Sequence, residues 1–507
     1  MNTVNSKESK TWLPPRLRRW LVRLALIFAA GLLLAISVMM WRTLALSSDS
    51  ISVPPTTFPT IDEAAATRFA GAIRFRTVAT PAVFDPDEFQ KLHRYLEANF
   101  PRVHAELQRE VFAECSLLYR WPGTDSSATP ILLMSHLDVV PVPESEEPRW
   151  THNPWGGEIA DGFIWGRGSL DVKCGVVGML EAVEHLLQKG FLPECDVYLA
   201  FGHDEEIGGK NGNQQIAVAL RGRGVRFRFV LDEGGVIVSH TIPGLESPMA
   251  LVAVAEKGYA TARLSVRLSD EARGHSSMPP PQTAVGILAA AISKVEAKPL
   301  PASFSGPVGL MLDRIGPHLS LTQRFALANR DVLKPLVISS LSESRSLNAL
   351  LRTTTAATVF NGGQAENALP GEATALVNFR LKPGDTPESV LEHIRQVGDD
   401  DRVTYELRGE PNAASFVSDH QSPDFQRIER IIRQLDAEIL VAPGLAVVST
   451  DSRHYEGLTE NTYRFLPLRL SGDDLKRIHG VNERIAVENY LELVQFFVML
   501  LQDAAGG

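Results

Sequence analysis

Short apolar runs alternate with longer stretches of helical periodicity between residues 61 and 255. The runs at 131–135, 197–201 and 227–231 have the length of buried strands. Apolar residues recur at helical spacing from Val176 to Leu187, and the pair Lys189-Gly190 marks the end of that helix. This alternation predicts an α/β fold with a mostly parallel sheet flanked by helices.

The pattern changes after Glu256. Residues 262–268 and 374–381 alternate apolar and polar side chains, as half-buried antiparallel strands do. Residues 387–397 then have the spacing of a helix. We predict that these elements form an inserted α+β domain that serves as a lid or as a dimerisation domain.

The patterns divide the chain into a cytoplasmic basic segment, a transmembrane anchor, a linker, and a catalytic domain interrupted by the lid. The predicted bounds are 1–23 for the basic segment, 24–41 for the anchor and 42–60 for the linker. The catalytic domain comprises 61–255 and 409–507, and the lid comprises 256–408. Residues 299–350 have mixed helical character, and an insertion over the mouth of the active site is one interpretation. The apolar segment 490–501 is too short to span a bilayer and is predicted to be a buried helix.

The N-terminus indicates where the protein resides. Basic residues between Lys7 and Arg23 precede the uncharged apolar segment Leu24–Trp41, which is near the length of a bilayer span. Because basic residues stay on the cytoplasmic side, a single-pass anchor would place the catalytic domain outside the cytoplasm, in a periplasmic, extracellular or lumenal space. The alternative is a secretory signal cleaved near Ala45-Leu46-Ser47, and both interpretations predict an exported catalytic domain.

Charge and cysteine content narrow the range of functions. The formal net charge of -10 argues against a nucleic-acid partner, which would require a basic surface. The 3 cysteines have no C-x-x-C spacing and are too few for a disulfide framework or a cysteine-ligated zinc site. Small molecules or peptides are therefore the expected substrates.

The sequence contains five residues of the types that bind zinc, and four of them directly follow apolar runs with the length of strands. They are His136, Asp171, Glu206, Asp232 and His479. Two imidazoles and three carboxylates suit two zinc ions that share a bridging carboxylate and keep a position open for water. The first four are separated by 35, 35 and 26 residues, as in successive βα units, whereas the fifth follows 247 residues later, after the predicted lid. The predicted chemistry is metal-assisted hydrolysis.

The motifs around these residues are ILLMSHLD, GRGSLDVKC, VYLAFGHDEEIGG, FVLDEGG and HGVNE, in that order. They resemble the motifs of metallopeptidase family twenty, the aminoacylase, carboxypeptidase S and glutamate carboxypeptidase group. The resemblance is greatest to carboxypeptidase S and the N-fatty-acyl-amino-acid synthase/hydrolases, and it implies a zinc-exopeptidase fold. It further implies that Asp171 bridges two zinc ions, with His136 and Asp232 on one ion and Glu206 and His479 on the other.

The resemblance also implies roles for residues outside the ligand set. Glu205 would be the general base that takes a proton from the attacking water and returns it to the leaving amine. Asp138 would orient His136 and fix its tautomer. His275, in the motif GHSSMP, would reach over the metals from the lid and stabilise the oxyanion.

Three residues are candidates for binding the substrate. Asn367 and Arg380 match family positions for the carboxylate of the substrate, and Arg453, in the motif TDSRH, is a rival for that role. Arginine suits the task because its planar fork pairs with a carboxylate through two hydrogen bonds.

The expected enzyme cleaves an amide bond next to a free carboxylate, as a carboxypeptidase or an N-acyl-amino-acid hydrolase. Its substrate would be a small molecule or a peptide, and its water would be activated by zinc and Glu205. Two alternatives stay open: reversible synthesis of fatty-acyl amino acids, and a non-catalytic binding domain on a peptidase fold. A homodimer is also left open.

Overall fold

The structure of the protein is a computed structural model, which describes residues 14–47, 53 and 56–506. The start of the predicted basic segment and part of the predicted linker lie outside the described residues. The α-helices are α1 (Pro15–Ala45), α2 (Ala64–Ile73), α3 (Pro86–Asn99), α4 (Pro101–Glu106), α5 (Lys173–Gln188), α6 (Asn213–Gly222), α7 (Ala284–Ala297), α8 (Pro307–Ile315), α9 (Leu321–Ala328), α10 (Lys334–Ser342), α11 (Arg345–Leu351), α12 (Pro387–Gly398), α13 (Pro423–Leu435) and α14 (Val487–Ala505).

The β-strands in the first half of the chain are β1 (Gln108–Phe112), β2 (Ser116–Trp121), β3 (Ile131–His136), β4 (Glu158–Ala160), β5 (Phe163–Trp165), β6 (Val197–Gly202), β7 (Val230–Asp232), β8 (Ile237–Val238) and β9 (Met249–Glu256). Those that follow are β10 (Gly258–Arg267), β11 (Gly274–His275), β12 (Thr354–Gly362), β13 (Ala368–Leu369), β14 (Glu372–Leu381), β15 (Val403–Asn412), β16 (Leu440–Ala446), β17 (Thr462–Arg464), β18 (Arg469–Leu470) and β19 (Arg484–Ala486).

The larger sheet has the strand order β1-β2-β6-β3-β7-β17-β9-β8-β18, and β16 also pairs with β9. Strands β6, β3, β7 and β17 run parallel to their neighbours in this series. In contrast, β2 is antiparallel to both β1 and β6, and β9 is antiparallel to both β17 and β8. The α/β prediction is thus confirmed, but the sheet is mixed rather than mostly parallel, because short connections such as those of β1-β2 and β8-β9 reverse the chain direction.

Helices α5 and α14 pack together in the main core. Both predictions for these segments, a helix after Asp171 and a buried C-terminal helix, are confirmed. The two helices approach so closely that a Cβ atom at Gly178 would lie 2.2 Å from Leu493 Cδ2. This contact fixes α5, and with it the turn that precedes α5 and carries Asp171.

A smaller antiparallel sheet has the order β12-β14-β10-β15 and packs with α7 and α12 around an apolar core of its own. The two predicted alternating strands are β10 and β14, which pair with each other along their whole length. The last strand, β15, ends at Asn412, a few residues beyond the predicted lid boundary at residue 408. The assignment of this sheet as a lid domain stays a prediction.

Residues 299–350, which the sequence pattern leaves unplaced, contain α8 to α11. The apolar side chains of α8 lie in one cluster with Met249 and Leu445 of the larger sheet, so this segment packs on β9 and β16. Helix α9 contacts the C-terminal end of α1. Residues Arg16–Ala45 of α1 are long and apolar enough to cross a membrane, and the most apolar part of this helix makes no buried contact.

Candidate active site

The ends of three adjacent strands bring most of the predicted ligands to one edge of the larger sheet. Strand β3 ends at His136 and β7 at Asp232, and β6 ends at Gly202, shortly before a 3₁₀ turn with Glu205 and Glu206. Because β6, β3 and β7 are parallel neighbours, their carboxyl ends lie side by side. Asp171 reaches the same edge from the turn before α5.

Asp171 is at the centre of the cluster. One of its carboxylate oxygens lies 3.1 Å from His136 Nε2, and the other lies 2.8 Å from His479 Nε2. His479 Nε2 is in turn 3.2 Å from Glu206 Oε1. The ligand atoms of His136, Asp171 and Glu206 all lie within 4.8 Å of one another. A carboxylate with one oxygen directed at each of two imidazoles has the arrangement expected of a metal bridge.

The fifth predicted ligand, Asp232, has mainly backbone contacts. Its Oδ2 accepts a hydrogen bond from Ser452 N at 2.9 Å, and its Oδ1 accepts one from Glu233 N at 2.9 Å. It is not one of the three residues whose ligand atoms gather within 4.8 Å. The structure therefore holds Asp232 at the same sheet edge but outside the tightest part of the cluster.

The donor set suits zinc. Imidazole nitrogens and carboxylate oxygens converge, and these are ligands that zinc accepts. Burial raises the pKa of Glu206 even though the nearby imidazole of His479 acts to lower it, and burial likewise raises the pKa values of Glu205 and Glu233 well above their ordinary range. Several buried carboxyl groups with raised pKa values form a site in which a divalent cation would stabilise the charged forms. The residues present thus fit the predicted metals.

Asp138 connects the histidine ligand to the turn that carries the predicted base. Its carboxylate is fully buried, lies 3.3 Å from His136 Nδ1, and accepts hydrogen bonds from Glu205 N at 3.2 Å and Glu206 N at 3.1 Å. The sequence predicts only the contact with His136. The two backbone contacts add that Asp138 also fixes the position of the 3₁₀ turn.

A second buried carboxylate, which the sequence analysis did not assign, joins the loops of two ligands. Glu483 accepts hydrogen bonds from the backbone N–H groups of Gly168, Leu170 and Asp171 at 3.0, 2.8 and 3.2 Å, and it pairs with Arg167. Arg167 also donates to the carbonyl of His479 at 3.0 Å. The motif HGVNE contains Glu483, but nothing in the sequence indicates its burial.

A cavity of about 1400 Å³ opens over the cluster. Two of the three predicted substrate-binding residues, Arg380 and Arg453, line it together with Asp171, Glu205 and His479. Arg453 donates to Ser449 Oγ at 2.7 Å and to the carbonyl of Gly208 at 2.8 Å, and the guanidinium of Arg380 lies 5.1 Å from the ring centre of Tyr259. Both cations are thus held at the cavity wall.

His275 and Asn367 lie together elsewhere. The short strands β11 and β13 pair His275 with Ala368, and the carbonyl of Asn367 accepts a hydrogen bond from Ser276 N at 3.0 Å. Both residues are exposed, and the residues that line the cavity do not include them. The structure therefore brings the two residues to each other but not to the cluster, and their roles stay predictions.

Two further acids of the site were missed. Glu233, the residue that follows Asp232 in the chain, lines the cavity. Asp451 is buried and accepts a hydrogen bond from Asn213 Nδ2 at 2.6 Å, and burial raises its pKa to about 7. Both residues stand in motifs quoted above, FVLDEGG and TDSRH, but their roles depend on burial, which the motifs do not reveal.

Known proteins resemble this chain over most of its length. Residues 132–503 match the family described as Peptidase family M20/M25/M40. A probable carboxypeptidase S-like protein 2 of Dictyostelium discoideum is 40% identical over 444 residues, which is 86% of this chain and 84% of that protein. An N-fatty-acyl-amino acid synthase/hydrolase of Xenopus tropicalis is 38% identical over 442 residues, with 86% and 84% covered.

Solved structures share the fold at low sequence identity. An M20 family metallo-carboxypeptidase from Sulfolobus solfataricus aligns with a TM-score of 0.61 and 17% identity, covering 87% of this chain and 99% of its own. Human carnosine dipeptidase 1 aligns with a TM-score of 0.59 and 14% identity, covering 92% and 98%. The family match confirms the predicted resemblance and the prediction of a metallopeptidase-type enzyme. The chain belongs to peptidase family M20/M25/M40.

Proposed function

We propose that this protein is a two-zinc hydrolase that cleaves the amide bond between an apolar acyl group and an amino acid with a free carboxylate. The observation that carries this proposal is the Asp171-centred cluster at the floor of a large cavity whose wall holds two arginines. The cluster supplies the hydrolytic chemistry, and the cavity supplies the two features that select the substrate.

The reaction adds water to the amide carbonyl and releases a carboxylic acid and an amine. Zinc ions held by the predicted ligands would polarise the carbonyl and lower the pKa of the attacking water. Glu205 lines the cavity beside Glu206, which supports its assignment as the base that takes the proton of that water. As the carbon–nitrogen bond breaks, Glu205 passes the proton to the leaving nitrogen, which departs as a neutral amine.

Recognition of the free carboxylate is assigned to the arginines of the wall. Arg453 is held by two hydrogen bonds, to Ser449 and Gly208, that leave its remaining N–H groups for a ligand. Arg380 is a second candidate, stacked on Tyr259. Because a guanidinium pairs with a carboxylate through two parallel hydrogen bonds, either residue would orient the scissile amide above the cluster.

The acyl group is assigned from the apolar residues that line the same cavity. Apolar side chains from the larger sheet, the C-terminal segment and α11 line the cavity, among them Val236, Leu251, Leu350, Leu445, Leu468 and Leu475. A wall of this kind favours a long apolar acyl chain, because each buried methylene contributes about 0.8 kcal/mol. The frog relative is named for N-fatty-acyl amino acids, which supports the same assignment.

The test is a series of N-acyl amino acids with acyl chains of increasing length, assayed on the zinc-loaded full chain. We expect kcat/KM to rise about fourfold per added methylene until the cavity is filled, the kinetic equivalent of about 0.8 kcal/mol. Leu350→Trp should shorten the range of accepted chains without affecting short-chain substrates. As a matched control, Leu192→Trp alters an exposed leucine outside the cavity and should leave the length profile unchanged.

A carboxypeptidase is the second candidate, favoured by the 40% identical carboxypeptidase S-like relative. Rates on peptides that exceed those on every acyl amino acid, with no dependence on acyl length, would establish this candidate and refute the first. The same assay supplied with fatty acid and free amino acid measures the reverse, synthetic reaction.

We further propose that α1 is a single-pass anchor and that the catalytic part lies outside the cytoplasm. Two observations support the anchor: α1 is long, apolar and exposed, and basic residues precede its apolar segment. Protein that remains in the membrane fraction after alkaline carbonate washing supports the anchor. A mature N-terminus beyond Ser47 would instead show that the segment is a cleaved signal.

A further inference from the structure

The C-terminal end of α1 is attached to the helical segment 307–351. Asn329, the residue that ends α9, donates from Nδ2 to the carbonyl of Met39 at 3.1 Å and to Thr43 Oγ1 at 3.3 Å. Arg324 donates to the carbonyls of Leu44 and Leu46. Asn329 and Thr43 are both fully buried, so this is a packed contact between α9 and the helix proposed to be the anchor.

This attachment sets the level of α9 relative to a membrane. The apolar segment Leu24–Trp41 would be about 27 Å long as a helix, close to the ~30 Å thickness of a bilayer core. Met39 and Thr43 lie on either side of Trp41, within about 3 Å of it along the helix axis. Asn329, which contacts both residues, would therefore lie at the boundary between lipid and water.

Large apolar side chains are exposed close to that boundary. Leu321 at the start of α9 is 60% exposed, and Val332 and Leu336, just after Asn329, are 63% and 69% exposed. Leu321 begins a helix of eight residues, so it lies within about 12 Å of Asn329 along the axis. Val332 lies in the turn that precedes α10, and Leu336 lies in the first turn of that helix. We call these three residues the α9–α10 surface.

We propose that the α9–α10 surface docks onto the lipid bilayer in which α1 is anchored. The proposal rests on the anchor proposed above, and it adds a second, peripheral membrane contact. The charged residues Asp331 and Lys334 are exposed between the apolar ones, which suits the headgroup region rather than the bilayer interior. The bilayer is the occupant that the attachment of α1 places beside this surface.

The contact would bring the cavity to the membrane. Helix α11 follows α10 in the same segment, and its residues Ser346 and Leu350 line the cavity over the metal cluster. A substrate whose apolar acyl chain is dissolved in the bilayer would then enter the cavity from the lipid surface instead of from water. This route would reduce the cost of extracting an apolar chain into water before binding.

The chain offers a direct test, because its described cysteines, Cys115, Cys174 and Cys195, are all buried. A cysteine introduced at Leu336 or Val332 can be labelled with an environment-sensitive fluorophore in the full chain. The labelled protein is placed in phosphatidylcholine nanodiscs, one chain per disc, with nitroxide quenchers at a shallow or a deep position of the lipid. Leu33→Cys reports on α1 itself, and Leu192→Cys, which replaces an equally exposed leucine in the loop before β6, is the matched control.

We expect labels at Leu336 and Val332 to be quenched by the shallow nitroxide, consistent with burial of about 5–10 Å into the interface. The Leu33 label should be quenched by the deep nitroxide and the Leu192 label by neither. Quenching at Leu33 with none at Leu336 and Val332 would overturn the docking proposal and leave the anchor intact. No quenching at Leu33 would remove the anchor and the docking proposal together. Shielding of Leu336 in detergent that depends on protein concentration would identify a second copy of the chain as the occupant and refute the bilayer.

Discussion

Replacing Glu483 with glutamine should weaken zinc binding without removing any ligand. The carboxylate of Glu483 holds the backbone before Asp171 through three N–H groups and pairs with Arg167. Arg167 in turn holds the carbonyl of His479. Glu483 and Arg167 thus connect the loop of Asp171, the predicted bridging ligand, to the loop of His479, although one precedes the other by more than 300 residues.

The loop of His479 needs this support. His479 and Asn482 both have left-handed backbone conformations, with φ of 59° and 63°. A non-glycine residue held in this region costs about 1–3 kcal/mol, so such a loop relaxes when its contacts are weakened. Glutamine keeps an acceptor for the backbone N–H groups but leaves the charge of Arg167 uncompensated at 1% exposure.

The expected effect has two parts. Breaking a buried ion pair costs about 3–5 kcal/mol of stability, and glutamine should fall near the lower end because it preserves the shape of the side chain. Loss of a residue that orients metal ligands lowers metal affinity about 10- to 100-fold, equivalent to about 1.4–2.7 kcal/mol. We therefore expect the zinc dissociation constant of Glu483→Gln to rise about 10- to 100-fold.

The measurement is competition for zinc with a chelator, on the full chain in detergent. Glu181→Gln is the matched control, since Glu181 is 5% exposed and pairs with Arg68 through contacts of 2.6 and 2.8 Å. That pair joins α2 to α5 and not the two ligand loops, so its loss should lower stability and preserve zinc affinity. Equal zinc affinities for the two variants would show that the Glu483–Arg167 pair supports the fold generally and does not position the ligands.

Three further predictions concern catalysis. Glu205→Gln should keep its zinc content and lose about two to four orders of magnitude in kcat, and an unchanged kcat would remove Glu205 from the role of base. His275→Ala should lower kcat about 10²- to 10³-fold if it supplies an oxyanion donor. Because His275 lies outside the cavity, mixing the Glu205→Gln and His275→Ala chains distinguishes its source: recovered activity means that a second copy supplies it, and no recovery means that it acts within its own chain. Arg453→Lys should raise KM for acyl amino acids more than for their carboxamide analogues; if Arg380→Lys alone does so, the carboxylate contact belongs to Arg380.

Local periodicity was sufficient to predict many elements. Strands β10 and β14 extend the predicted alternating runs by only a few residues, and α12 begins at the predicted Pro387. Alternation and helical spacing are properties of neighbouring residues, so they predict strands and helices without knowledge of tertiary contacts. The direction of the strands outside the central parallel series is different. Whether β1, β2 and β8 run parallel or antiparallel depends on partners brought together by short connections, and the amount of antiparallel pairing was therefore underestimated.

The predicted ligands and the residues that support them also differ in how far local sequence predicts them. A histidine or carboxylate directly after a buried strand is a local pattern, and the order of motifs strengthens it. The structural roles of Glu483 and Asp451 depend on their surroundings. Each role is recognisable only once the carboxylate is known to be buried and hydrogen-bonded. Conversely, the motif around His275 is recognisable in the sequence, but its distance from the cluster depends on how the smaller sheet is placed.

The segment 299–350 shows why helical periodicity alone does not locate a helix. The apolar face of α8 packs on β16, which lies more than 100 residues later in the chain. The periodicity of a short sequence segment cannot predict such a contact. Once it is formed, the following helices are confined between two fixed points: α9 holds the end of α1 through Asn329, and α11 contributes Leu350 to the cavity. If α1 is the proposed anchor, this segment, which contacts α1 at one end and lines the cavity at the other, would determine how the cavity faces the membrane. Changes in the length of this segment should therefore alter access of membrane-dissolved substrates while leaving the metal ligands in place.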